Sequence, residues 1–209
     1  LYIPYTDPGY ILFKKVSDSI SAHRAKYGSE PAVIWLQNHG IFVAANTTEE
    51  IKTIYSDVLK TLAAAVTKPL INEARATCRC SEEIVPALRM MLSKQGLKTL
   101  KVRKNGLIKH FYASAERFAA IARPFAPDAI VYCKSNYLYF PEETPETVLA
   151  SALTRLPEFS AKFGYLPKVL LIKGIGLVAV GDTAAQCEII LDVYEDAMKI
   201  AYLADSFGG

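Results

Sequence analysis

The sequence predicts an α/β protein with a mainly antiparallel central sheet flanked by helices, built around an internal duplication. Three observations carry this. First, Val33 to Ile51 and Val169 to Cys187 read as two versions of one strand–turn–strand–helix unit, with Gly176 lying 136 residues after Gly40. At that offset Asn46 meets Asp182 and Thr47 meets Thr183, whereas His39 meets Ile175. Self-similarity at one fixed period is the signature of a repeated structural unit. Second, strands joined by turns of two to four residues must run antiparallel. Third, stretches with apolar residues at helical spacing alternate with these short strands.

The elements follow in order. Tyr2 to Gly9 is a turn-rich loop, given two prolines and Asp7-Pro8-Gly9. Leu12, Phe13, Val16 and Ile20 mark a helix that Gly28 ends. Val33 to Leu36 and Ile41 to Ala45 are short apolar strands around the polar turn Gln37-Asn38-His39-Gly40. Thr47 and Glu50 form a capping box, satisfying two orphan N–H groups reciprocally, and Ile51, Ile54, Tyr55, Val58, Leu59 and Leu62 form the stripe of the helix it opens. Pro69 stops that helix, and residues 67 to 80 connect the two units. The domain division is therefore 1–68 and 69–209.

Ser81, Glu82 and Glu83 open the next helix, with Ile84, Leu88, Met91 and Leu92 inside and Gly96 at its end. Leu107 to Tyr112 alternates loosely and is a candidate strand, Ser114 to Arg123 a helix, and Ala129 to Tyr132 and Tyr137 to Phe140 candidate strands. Thr144 caps a helix with Pro145 at its first position, running to about Arg155. Val169 to Ile172 and Leu177 to Val180 are the second strand pair, and Asp182 caps a last helix running toward Ala204.

Composition excludes several functions. The net charge of +3 comes from scattered Lys and Arg, so no basic stripe points to nucleic acid. No run of 18 apolar residues predicts a membrane span. The four cysteines, Cys78, Cys80, Cys133 and Cys187, form no disulfide framework, which fits a reducing, cytoplasmic setting. Cys78 and Cys80 are placed at a loop-to-helix junction. Gly174, Gly176 and Gly181 are spaced G-x-G-x4-G and lead into a strand. A dinucleotide-binding turn must open a helix whose N-terminus faces the pyrophosphate, so this reading is rejected.

His39 is the candidate site residue. A ligand histidine needs rigid backbone to place its ring and a partner for its second nitrogen, and a strand-end turn supplies the first. Among the other histidines, His23 suits the C-terminal dipole of the first helix and His110 a core or boundary position.

The passage Leu36-Gln37-Asn38-His39-Gly40, the short apolar strand after it, and Thr47-x-x-Glu50 opening a helix resemble the class II aldolase/adducin family. Pro4-Tyr5-Thr6-Asp7-Pro8-Gly9 and its helix resemble the segment that leads to this strand, so the resemblance covers residues 3 to 66. It implies a largely antiparallel sheet between helical layers. It also implies zinc held by three histidines and the making or breaking of sugar-phosphate carbon–carbon bonds, with His39 as the last ligand. Zinc would act there as a Lewis acid on a hydroxy-ketone oxygen. The His-x-His pair that supplies the other ligands in the family does not occur here; its place would lie before Leu1, as would the family's phosphate-binding segment. The chain therefore reads as the C-terminal part of such an enzyme or, alternatively, as a non-catalytic adducin-like assembly module. The expected substrate is a sugar phosphate or a related small molecule, and a homo-oligomer is expected.

Residues 81 to 209 resemble the second half of aldolase-like proteins often fused to a short-chain dehydrogenase. The matching pieces are Pro86-Ala87-Leu88-Arg89, Ala126-Pro127-Asp128, Lys134 and Lys173-Gly174-Ile175-Gly176-Leu177. Where those relatives carry a histidine after Pro-Asp, this chain has Ala129. The second unit is therefore expected to lack metal chemistry and to be a structural partner of the first.

Overall fold

The computed structural model describes residues 1–75 and 79–208. The chain divides into two compact units, Leu1–Thr67 and Lys68–Gly209. The expected single central sheet is instead two mixed, mostly antiparallel sheets, one in each unit and each packed against helices. The physical reason is that each strand pair carries its own parallel neighbour, so neither pair needs the other to extend its ladder.

In the first unit, β1 (Tyr2–Ile3) pairs parallel with β2 (Val33–Leu36), which pairs antiparallel with β3 (Gly40–Val43). The right of Tyr2 and Ile3 to be a strand was hidden by the turn residues that follow them. Helix α1 (Tyr10–Tyr27) joins β1 to β2, and α2 (Thr48–Ala65) follows β3. The capping box of α2 is formed: Thr47 Oγ1 accepts from Glu50 N at 3.2 Å, and Glu50 Oε2 accepts from Thr47 N at 3.1 Å. The buried core of this unit is small. Ile3, Ile34 and Leu36 are buried, with Val16 and Ile20 of α1 packed on them.

The second unit begins with α3 (Ser81–Leu92), β4 (Thr99–Arg103), α4 (Gly106–Tyr112), α5 (Ala115–Ala119) and α6 (Pro127–Cys133). It continues with β5 (Leu138–Phe140), α7 (Pro145–Phe163), β6 (Val169–Ile172), β7 (Gly176–Gly181) and α8 (Ala184–Ala204). The sheet order is β4-β7-β6-β5, with only β5 and β6 parallel. Its two faces are both covered, so β6 and β7 read as continuous apolar runs. Leu170, Ile172, Val178 and Val180 pack with Ile84 and Leu88 of α3 and with Val148 and Ala152 of α7. Val169, Leu171, Leu177 and Ala179 pack with Phe111 of α4, Cys133 of α6, and Ile190 and Tyr194 of α8.

Several expectations are corrected. Leu107 to Tyr112 is helix, because the Asn105 side chain accepts from Ile108 N at 2.8 Å and so caps a turn. Ala129 to Tyr132 is helix, because Pro127 at the start presets φ and Asp128 in the first turn suits the dipole. Helix α7 runs through Pro157 to Phe163, ending at the left-handed Gly164. The N-cap of α8 is Thr183 rather than Asp182; Thr183 Oγ1 accepts from Gln186 N at 3.2 Å while Gln186 Oε1 accepts from Asp182 N at 2.8 Å. Strand β4 had no sequence signal. Cys80 sits at the N-cap of α3, and Cys78 lies outside the described residues.

Each unit contains the same β-α-β-β-α path. Val33 pairs with Val43 and Val169 with Ala179; Leu36 pairs with Gly40 and Ile172 with Gly176. His39 N donates to Leu36 O at 3.0 Å, as Ile175 N does to Ile172 O at 3.1 Å. Gln37 N donates to Ile3 O at 3.1 Å, as Lys173 N does to Phe140 O at 2.9 Å. Tyr2-Ile3-Pro4 takes the place of Tyr139-Phe140-Pro141 in the two parallel pairs.

Candidate functional site

The β2–β3 turn places His39 by three backbone devices. His39 N closes the turn on Leu36 O, Asn38 adopts the left-handed region at φ 62°, and Gly40 follows at φ 114°. Asparagine tolerates the left-handed region because its short side chain bonds locally, and glycine has no Cβ to clash. The loop from Pro4 to Gly9 is then fastened over the turn. Tyr5 N donates to Gln37 Oε1 at 2.9 Å, and Thr6 Oγ1 donates to Pro4 O at 3.1 Å. The Tyr5 ring stacks on the His39 ring, with centroids 5.8 Å apart and planes 6° from parallel. The Tyr5 hydroxyl donates to Asp7 Oδ1 at 3.3 Å.

His39 Nε2 lies 3.1 Å from Thr6 O. A carbonyl oxygen only accepts, so Nε2 carries the proton in this contact. In the neutral ring Nδ1 then holds the free lone pair, and a bond from one ring nitrogen to a backbone carbonyl is how a ligand imidazole is oriented. The ring is half-buried against the loop rather than sealed in a core. Thr6 O and Gln37 Oε1 had no sequence signal as site groups, since the loop meets the turn across 33 and 32 residues.

The matching turn in the second unit is chemically different. Ile175 is 2% exposed. Lys104 Nζ donates to Gly174 O at 2.6 Å, and Lys173 Nζ pairs with Glu143 Oε1 at 2.5 Å. Hydrogen bonding to Lys173 holds the Glu143 carboxyl below its ordinary range, and the same bond raises Lys173. The lysine is therefore engaged in an exposed ion pair beside the turn. Ala129 is buried on α6 and offers no donor.

The other two histidines sit elsewhere. His23 lies on α1 with its ring 4.6 Å from that of Tyr27. His110 lies on α4, edge-on to Phe111 and Tyr202 at 5.1 Å each, and burial pushes its pKa down, helped by Arg117 and Lys68. Among the described residues, no three or more His, Cys, Asp or Glu side chains group so as to hold a metal. No described helix is long and apolar enough to cross a membrane.

One polar network was not foreseen. Glu195, buried on α8, accepts from Asn105 Nδ2 at 2.8 Å and from Arg103 at 2.9 Å; Arg103 also reaches Glu188 at 3.0 Å and Asp192 at 2.7 Å. Burial is the largest single influence on Arg103 and lowers its pKa, but the Glu195 and Asp192 carboxylates together outweigh it and raise the value. The network ties β4 to α8 and is structural. Its one sequence signal is Glu195 falling in the apolar stripe with Leu191, Tyr194 and Met198. No family model and no curated protein matches the chain.

Proposed function

We propose that this chain is part of a zinc-dependent class II aldolase-type enzyme that cleaves or forms sugar-phosphate carbon–carbon bonds, and that His39 is one of its metal ligands. The observation that carries the reading is the His39 turn: a rigid strand-end position, Nε2 occupied by Thr6 O, and Nδ1 free for a ligand. The duplication belongs to the same reading. It is supported by the shared path, registers and turn hydrogen bonds of the two units, one retaining a histidine and the other an isoleucine.

A catalytic zinc needs three protein ligands and an open position. The described residues do not fit that demand, since His39 stands in no group of three donors. The remaining ligands and the acid or base must come from outside the described residues, so no catalytic step is derived from those present. The same shortage favours a second reading, an adducin-like assembly module that keeps the fold without the chemistry.

The test is a retro-aldol assay on a panel of ketose phosphates, using the full natural gene product containing this sequence, with and without chelator. Cleavage that chelator abolishes and zinc restores, and that His39→Asn eliminates, is expected. A folded full-length protein that cleaves none of them leaves the assembly reading standing.

A further inference from the structure

The first unit is open where the second is closed, and the second displays what closes it. In the second unit β7 has a neighbour on each side, β6 and β4. In the first unit β3, which takes the place of β7, has β2 on one side and, among the described residues, no strand on the other. Ala44 N donates inward to Ala32 O, so by the alternation of an antiparallel ladder the N–H groups of Ile41 and Val43 point away from β2. A row of unpaired backbone groups on a sheet edge is a template for another strand.

Both faces beside that edge are also bare. Trp35 takes the place of Leu171, which is fully buried, yet it is 37% exposed. Phe42 takes the place of Val178, also fully buried, yet it is 54% exposed. On α2, Tyr55 and Leu62 are exposed, whereas their counterparts Leu191 and Met198 are buried. Neither α1 nor α2 has a single buried residue. An apolar groove lined by Val33, Trp35, Ile54, Val58 and Leu62 runs between β2 and α2. The matching ground in the second unit is filled by α6: Cys133 packs in one cluster with Val169, Leu171, Ile190, Tyr194 and Met198, and its thiol donates to Ile190 O at 3.6 Å. On the opposite face Val178 is covered by α3.

We infer that this open surface is the seat of a strand-and-helix segment built like Ser81–Cys133: an edge strand antiparallel to β3, a helix over Phe42, and a short helix in the groove beside Trp35. The occupant is the polypeptide that leads into β1. In the second unit the covering segment precedes β5 directly, and α6 reaches β5 through Lys134–Tyr137 alone. The same topology brings the incoming chain to Leu1 from the groove that needs filling. The inference rests on the repeat and not on zinc, so an inactive, metal-free protein would leave it intact.

Trp35 is the sole tryptophan and sits in the proposed seat, so it reports occupancy directly. The experiment compares the 209-residue chain with the full natural gene product that contains it. Iodide quenching of Trp35 should fall several-fold in the longer protein, with a blue-shifted emission. Amide exchange at Ile41 and Val43 should slow toward that of Leu177 and Ala179. Phe42→Glu in the longer protein should restore fast exchange at those amides while leaving β7 protected, which separates loss of the seat from global unfolding. A gene product that starts at Leu1 overturns the inference. So does a longer protein in which Trp35 quenching and β3 exchange are unchanged.

Discussion

Gly40 and Gly176 occupy the same place in the two units, at φ 114° and 138°, yet alanine should be tolerated very differently at each. Both substitutions force an L-residue into a backbone region that suits glycine, which costs about 1–3 kcal/mol. At Gly40 a Cβ meets nothing within 4 Å, so this strain is the whole effect. At Gly176 the Cβ would lie 2.4 Å from Arg103 O, a backbone atom of the neighbouring β4 that cannot rotate away. Forcing the strands apart adds about 1–3 kcal/mol, the usual cost of overpacking. Gly176→Ala should therefore be the worse of the pair by about 2 kcal/mol. With a urea slope of about 2 kcal/mol per molar, that separates the two midpoint shifts by about 1 M. Trp35 fluorescence follows the first unit, and far-UV circular dichroism resolves the second transition. Equal shifts for the two variants would refute the close approach of β4 to the turn. If a strand covers β3 in the longer protein, Gly40→Ala should become as damaging there as Gly176→Ala.

Glu195→Ala should destabilise the second unit by about 2 kcal/mol, less than for a sealed ion pair because Arg103 keeps Glu188 and Asp192; Glu195→Gln, which still accepts from Asn105, should cost less, and equal losses in urea titration would contradict the network. Glu143, Asp182, Glu188 and Asp205 are each held below their ordinary range, primarily by hydrogen bonds to lysine. A depressed folded pKa gives stability that is present above the unfolded value and lost as pH falls through the folded one. Tm should thus drop as pH falls below about 4.5, with His110 adding an earlier loss below about 6.5 that His110→Phe removes. Because the carboxylates are exposed, 1 M salt should flatten the acid limb; a limb indifferent to salt would contradict this. Burial pushes the Cys133 thiol up to about 12 and also raises Cys187, so neither should be alkylated at pH 8 until the chain unfolds, as peptide mapping would show.

The unit from Val33 to Leu62 was legible because its signals are local: a turn with Asn38 and Gly40, and a capping box whose donors and acceptors lie within four residues. Helix α4 looks like a strand because it is short and buried around much of its circumference, and α6 because its exposed positions carry the apolar Ile130, Val131 and Tyr132. Leu107, Ile108, Phe111 and Tyr112 are all buried, which erases the 3.6-residue period. Strand β4 escaped because Lys101 and Arg103 lie on its α8 face, where Glu188 and Glu195 satisfy them. A charged residue on a covered face looks like a loop until its partner, some 90 residues on, is known. The candidate site divides the same way. His39 and its turn could be read directly, but the Thr6 carbonyl that orients the ring could not, because a backbone oxygen has no residue signature.

The most direct test of the account is zinc retained per chain after exhaustive dialysis, measured by elemental analysis on three proteins. The 209-residue chain should keep little, because one imidazole cannot hold zinc against water. The full natural gene product should keep about one zinc per chain, and its His39→Ala variant should lose it. Tight zinc in the full product that is indifferent to His39, or stoichiometric zinc in the 209-residue chain, would contradict the placement of the site.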